Sequence, residues 1–264
     1  MSTPEHRPPN NKQLDILRLL YRFRFATTEL LTQALELKSK IKMNERLKIL
    51  LDQEYIGRNF DSEYRLLRKH ATYYLLPKGV EALKRIPGNK FDALTLRNTR
   101  KDKTASDQFI DYSLSIFSMY CRLKSELGDS LRYFTKSQLV NRYDYFSEFV
   151  PSVYISTVTD DAEKDYFLEY LQSSKPFFTI VQRLKQYTEY ADSGEWEAET
   201  DSDFPTILLI CDNQRLQNLL MKRSGFALSE ADDDLKFYTT TLDKLDAWQN
   251  LVDQDDEPRP LVSI

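Results

Sequence analysis

Residues 40–79 read KIKMNERLKILLDQEYIGRNFDSEYRLLRKHATYYLLPKG, and their patterning decides the fold of the N-terminal third. Met43, Leu47, Leu50 and Leu51 recur at helical spacing, which predicts a helix from about Ser39 to Gln53. Lys40, Lys42, Asn44, Glu45 and Lys48 lie off that apolar face. Tyr55 to Phe60 and Ala71 to Leu76 have strand composition, and a polar, basic stretch separates them. Pro77, favoured in a first helical turn, opens a helix through Leu83.

Upstream, Asn10-Asn11 can cap a helix from Lys12 to about Phe23, with Leu14, Leu17, Leu20 and Tyr21 at helical spacing and Ile16 and Leu19 widening the stripe. Phe25-Ala26 interrupts the pattern, and Thr27-Thr28-Glu29 starts a short helix through Leu35. Three helices, a two-stranded hairpin and a closing helix are the order of a winged helix-turn-helix. Arg46-Leu47 with Leu50-Leu51, then Glu54-Tyr55-Ile56 and Arg58, then Tyr73-Tyr74-Leu75 with Lys78-Gly79, resemble the motif of winged-helix regulators. Glu54 departs from it, standing where glycine is common. The resemblance implies duplex DNA as partner. Lys40, Lys42, Asn44 and Lys48 would then meet phosphates and base edges, Asn44 having the donor and acceptor to read adenine. The wing candidates are Arg58, Arg65, Arg68, Lys69 and His70.

Charge supports this division. Up to Ala105 the chain holds 22 Lys and Arg against 12 Asp and Glu; beyond it, 15 against 29. A basic half beside an acidic half suggests a nucleic-acid contact on one side and a different partner on the other. The only cysteines, Cys121 and Cys211, sit in separate apolar runs, giving neither a disulfide framework nor zinc spacing. With only His6 and His70 besides, a His/Cys metal site is nearly excluded, and a reducing, cytoplasmic setting is expected. The longest apolar run, Ile207 to Cys211, is far short of a membrane span.

The expected organisation is a disordered tail (1–11), the winged helix (12–85), a linker (86–105), a second α/β domain (106–250) and an acidic tail (251–264). In the second domain a helix from Ser106 to about Leu127 presents Phe109, Tyr112, Ile116, Tyr120 and Leu123, and Gly128 stops it. Strand-type segments follow at Leu131 to Thr135, Val150 to Val158 and Tyr166 to Leu171, with a hairpin turn at Asp160 to Lys164. A helix starting at Pro176 turns Phe177, Ile180, Val181, Leu184 and Tyr187 inward. Pro205 to Cys211 reads as a strand buried on both faces, and Asp212 or Asn213 caps the next helix, to about Arg223. A strand from Leu235 to Thr239 and a short helix to Trp248 complete the series.

This αβββαβ order is that of restriction-endonuclease-like cores, so the fold class is mixed α/β (α+β) with two domains. The whole resembles the replication-relaxation family of plasmids and mobile elements. The likeness is carried by Leu14 to Phe25 leading into Thr27-Thr28-Glu29-Leu30, by Val150-Pro151, Tyr166 to Glu169, Arg183 to Tyr187, and Phe204-Pro205. It implies a DNA-associated role in replication or relaxation, with replication or mobilisation proteins as partners of the acidic domain.

Nuclease chemistry on such a core needs two carboxylates on Mg²⁺ and usually a lysine to activate water. Ser152 stands where aspartate is expected and Leu171 where lysine is expected; only Glu169 remains. Glu148 could replace the aspartate and Lys185 could reach back from the next helix, and Gln186 with Tyr190 resembles a motif of recombination nucleases. Three functions compete: a non-catalytic DNA-binding replication accessory needing no cofactor, a Mg²⁺-dependent nuclease with displaced ligands, and a winged-helix transcriptional regulator.

Overall fold

Asn10 caps the first helix: its side chain accepts from the Gln13 amide while the Gln13 side chain accepts from the Asn10 amide, a reciprocal pair that satisfies two otherwise unpaired donors. The computed structural model describes residues 8–86, 97, 99–139, 146, 149–158, 163–228, 235–253, 255–261 and 264. Two units result, residues 1–125 and 126–264. The outermost part of the expected N-terminal tail, most of the expected linker and the expected turn at 160–162 lie outside the described residues.

The first unit runs α1 (Asn11–Phe23), β1 (Phe25–Thr27), α2 (Thr28–Ala34), α3 (Lys40–Asp52), β2 (Ile56–Asn59), α4 (Ser62–Leu66), β3 (Thr72–Leu75) and α5 (Pro77–Lys84). Its sheet has the order β1-β3-β2, antiparallel throughout, with Phe25 opposite Tyr74 and Ile56 opposite Leu75. The sequence reading missed β1 and α4. At three residues β1 is too short to show a period, and α4 turns no apolar side chain inward. The buried face of α1 consists of Gln13, Ile16, Leu17, Leu20 and Phe23, one step round from the expected stripe; Leu14, Leu19 and Tyr21 are half-buried. In α3, Met43, Leu47 and Leu50 are buried as expected.

Helix α3 ends in a Schellman motif: the Tyr55 amide donates to the Leu50 carbonyl and the Glu54 amide to that of Leu51, both at 2.9 Å. Glu54 takes the left-handed position with φ 58°, where glycine avoids a Cβ clash. Glycine is required elsewhere, at Gly79. A Cβ there would lie 2.3 Å from the Tyr55 carbonyl oxygen, so α5 packs backbone against backbone at the start of β2.

Helix α6 (Asp107–Leu127), expected to open the second domain, groups up to Ser125 with the first unit. Its buried residues include Ile110, Ile116, Phe117, Cys121 and Leu123, so Phe109, Tyr112 and Tyr120 flank the core face rather than lead it. Phe117 stacks on Phe23 (centroids 4.1 Å, 3° between planes), and Phe109 meets Phe25 edge-on. Such aromatic contacts add about 1 kcal/mol each beyond the area they bury. Within the expected linker, Asp102 is buried and receives the Arg24 guanidinium. Burial raises the Asp102 carboxyl above its ordinary range, and the hydrogen bond and charge of Arg24 partly oppose that.

The second unit contains β4 (Leu131–Thr135), α7 (Lys136–Leu139), β5 (Val153–Val158), β6 (Glu163–Leu171), α8 (Phe177–Asp192), α9 (Glu195–Thr200), β7 (Thr206–Cys211), α10 (Gln214–Ala227), β8 (Phe237–Thr241) and β9 (Gln249–Asn250). The strands form one sheet in chain order, β4 to β9. β4, β5 and β6 pair antiparallel, β6-β7 and β7-β8 are parallel, and β8-β9 is antiparallel. Each parallel step follows a helix, α8 and then α10, as a crossover requires. Counting α6, the chain follows the expected αβββαβ order. Ile207 to Cys211 are fully buried, as the continuous apolar run predicts. Asn213, not Asp212, caps α10, accepting from the Leu216 amide.

The expected helix before Trp248 is absent. Residues 242–247 form tight turns, with the Thr240 hydroxyl hydrogen-bonded to the carbonyls of Lys244 and Ala247. Nor is the acidic tail free over its described residues. Trp248 and Arg259 exchange backbone hydrogen bonds at 2.7 and 2.8 Å, and Leu251 and Leu261 are buried.

Candidate functional site

Alternation along β6 puts Phe167, Glu169 and Leu171 on one face, and Phe167 and Leu171 share a core with Leu184 and Tyr187 of α8. Glu169 is therefore a carboxylate set into an apolar layer beneath α8, and the residue is 5% exposed. Burying a carboxylate is unfavourable unless donors surround it. Oε1 accepts from Arg183 Nε at 3.0 Å, Arg183 Nη2 at 2.6 Å, the Tyr187 hydroxyl at 2.8 Å and the Ser152 amide at 3.1 Å. Oε2 accepts from the Ser152 hydroxyl at 2.6 Å.

Arg183 is itself held. Nη2 also donates to the Val150 carbonyl (2.6 Å), Nη1 donates to Gln186 Oε1 (3.1 Å), and the guanidinium lies 4.3 Å from the Phe149 ring centroid. Lys136, just after β4, stands near the cluster. Enclosure by protein and the Arg183 charge lower its pKa, and attraction to Glu169 partly opposes them.

Tyr187 lies in the core as expected, with its hydroxyl on Glu169, whereas the sequence assigns no role to Arg183. On α8 these two are four residues apart and share the inward face, whereas Lys185, two positions from each, is turned to the opposite side and exposed. Lys185 thus does not reach back to Glu169, and Glu148 lies outside the described residues. Gln186 serves Arg183, and Tyr190 lies in the core. The signal for Arg183 was a cation one helical turn before an inward tyrosine, opposite a strand carboxylate.

These residues do not fit Mg²⁺. A metal needs free carboxylate lone pairs and a second anion, but a guanidinium, a phenol and an amide already converge on Oε1, and Ser152 supplies a neutral hydroxyl. Among the described residues no group of three or more His, Cys, Asp or Glu side chains is arranged to hold a metal ion. No described helix is long and apolar enough to cross a membrane.

The expected nucleic-acid residues lie on α3, on β2 (Arg58) and on the segment joining β2 to β3. Lys40, Lys42, Asn44 and Lys48 are all exposed on α3. Lys40 Nζ lies 3.0 Å from Glu29 Oε1, and Asn44 Oδ1 accepts from the Thr28 hydroxyl at 3.2 Å, so two of the four are tied to the N-terminus of α2. Arg58, Arg65, Arg68 and His70 are exposed. Lys69 is half-buried and paired with Asp107 at 3.0 Å, which raises its pKa and removes it from the free cations.

In the second unit an open cleft of about 1180 Å³ is lined by Glu163, Asp165, Asp192, Glu197 and Asp203, among others. Burial raises the Asp165 carboxyl, opposed by hydrogen bonds from Tyr154 and Ser156.

A mixed α/β chain with a helix-and-hairpin unit and an αβββαβ sheet, its acidic centre filled by an arginine, defines the class. The chain belongs to the replication-relaxation family, whose family model matches residues 17–207. That membership gives it a DNA-associated role connected with replication. No curated protein matches the sequence. Among solved structures it is similar to restriction endonuclease FokI, with TM-score 0.35 and 11% identity over 88% of this chain and 42% of FokI. It is also similar to FokI bound to DNA, with TM-score 0.31 and 10% identity over 88% and 43%. The chain spans about two-fifths of FokI.

Proposed function

We propose that this protein is a non-catalytic DNA-binding accessory in replication or relaxation of a plasmid or mobile element. The first unit is the winged helix that engages duplex DNA. The second is a scaffold whose acidic surface meets a replication or mobilisation protein. The observation that carries the non-catalytic reading is the Arg183–Glu169 pair: a fixed guanidinium supplies the positive charge that a nuclease would take from its metal. Replacing a mobile, hydrated dication by a tethered monocation keeps the carboxylate satisfied but offers no metal-bound water as nucleophile.

The deciding experiment incubates the full chain with supercoiled plasmid and Mg²⁺ or Mn²⁺, following both nicking and gel retardation. Retardation without nicking is expected, and it needs no divalent ion. Metal-dependent nicking that disappears in Glu169→Ala would overturn the reading in favour of a nuclease.

A further inference from the structure

Between β2 and β3 the chain makes the short helix α4 and places Leu66 (84% exposed) and Leu67 (58% exposed) side by side in solvent. The turn that presents them is well fixed. Asp61 caps it, accepting from the Tyr64 amide at 2.9 Å. The Leu67 amide donates to the Glu63 carbonyl, and Arg68, in the left-handed conformation with φ 53°, reverses the chain so that the Lys69 amide reaches the Tyr64 carbonyl at 2.8 Å. At the base, Arg58 and Arg65 lie 5.6 and 5.8 Å from the Phe60 ring centroid, and Lys69 is tied to Asp107. The leucines therefore need little ordering to be used.

Their surroundings select the partner. Arg58, Arg65 and Arg68 are exposed and make no ion pair among the described residues, and these three cations outnumber the two acids of the segment, Asp61, which keeps its charge while capping, and Glu63. Two adjacent leucines are a small apolar patch for a protein interface. An apolar tip bracketed by arginines does match the minor groove of DNA, whose negative potential attracts arginine and whose base steps admit an apolar wedge.

We propose that Leu66 and Leu67 form a wedge that enters the minor groove between Arg65 and Arg68 and unstacks a base step, locally unwinding and kinking the duplex. This rests on the DNA-binding reading above and adds a deformation to it. Unwinding is a property the linking number records without knowledge of the target sequence. The full chain is bound to closed circular plasmid at about 50 mM salt, where phosphate contacts are strong. The plasmid is relaxed with a type I topoisomerase, freed of protein, and its topoisomers are resolved.

The wild type is expected to leave the plasmid negatively supercoiled in proportion to protein bound. The double variant Leu66→Ala/Leu67→Ala abolishes that shift yet binds within about threefold of wild type, because the cost of unstacking largely offsets what the wedge contacts gain. Its melting temperature, unchanged because the leucines are exposed, shows that it has folded. Binding by the wild type with no shift, or an equal shift by the double variant, overturns the wedge alone; absence of binding overturns the DNA reading with it. A change in sedimentation of the DNA-free protein on removing the leucines, with the topoisomer shift intact, would make the tip a protein contact and overturn the wedge.

Discussion

Arg183 donates through both Nε and Nη2 to the same oxygen of Glu169, Oε1, at 3.0 and 2.6 Å, across the interface between α8 and β6. The pair joins a helix to a strand inside an apolar layer. Its first consequence is for stability: Glu169→Ala leaves the guanidinium facing a buried gap. Arg183 keeps some solvent access, its side chain being 22% exposed, so a loss of about 2–3 kcal/mol is expected rather than the full cost of breaking a buried pair. Urea unfolding checks it. Glu169→Gln, which keeps the shape and half the acceptors, should lose less; equal losses would mean that charge, not geometry, dominates.

Duplex binding depends on two kinds of residue in α3. Lys42→Ala/Lys48→Ala should weaken binding to all sequences by about fivefold and flatten the salt dependence, because each neutralised phosphate releases counterions. Asn44→Ala should alter preference among sequences with little change in salt slope. Fluorescence anisotropy on a panel of duplexes separates the two. An unchanged salt slope in the double lysine variant would place the contact on another face.

At the end of α3, Glu54 sits in the left-handed region at φ 58°. A side chain there costs about 1–2 kcal/mol, part of which glycine gives back through greater freedom of the unfolded chain. Glu54→Gly is therefore expected to stabilise the protein by about 0.5–1 kcal/mol, read as a rise in the urea midpoint with unchanged slope.

Asp102 gives a pH dependence of unusual sign for a carboxylate. Burial, the larger effect, raises its folded pKa above the ordinary 3.8. The folded state therefore binds the proton more tightly than the unfolded one. The contribution of this group is full below the unfolded pKa and is lost as pH rises through the folded one. Asp102→Asn, which mimics the protonated acid, should cost more stability at pH 4 than at pH 7. A cost that grows toward pH 7 would mean that Arg24 outweighs burial.

Much of the fold was legible because its elements carry local punctuation. Asn10, Thr27 and Asn213 cap helices where short polar side chains precede apolar periodicity, and each accepts from a backbone amide. What was illegible lacks such signals. β1 has three residues, and α4 has a cap at Asp61 but no apolar face. The turn at 242–247 shows helix-like spacing, yet Thr240 captures its carbonyls from outside the segment. In the candidate site, Ser152, Glu169 and Leu171 were readable because a strand keeps its positions in register. Arg183 was not, because its role depends on which face of α8 meets β6. The packing of Phe117 on Phe23 draws most of α6 into the first unit, a long-range choice that periodicity cannot express.

The Trp248–Arg259 bridge has a bearing on how copies of this protein behave together. β8 is deeply buried, and beyond it the sheet ends in a strand of only two residues, Gln249–Asn250. The returning segment around Arg259 then occupies the backbone of Trp248, which would otherwise stand open at the rim. A long unpaired rim invites another molecule to add its own strand, the usual first step toward amyloid-like clumping. Clipping the chain in the 251–258 stretch would free the backbone groups of Trp248. The segment around Arg259 is in this sense a hem, and fraying it would first be noticed as turbidity.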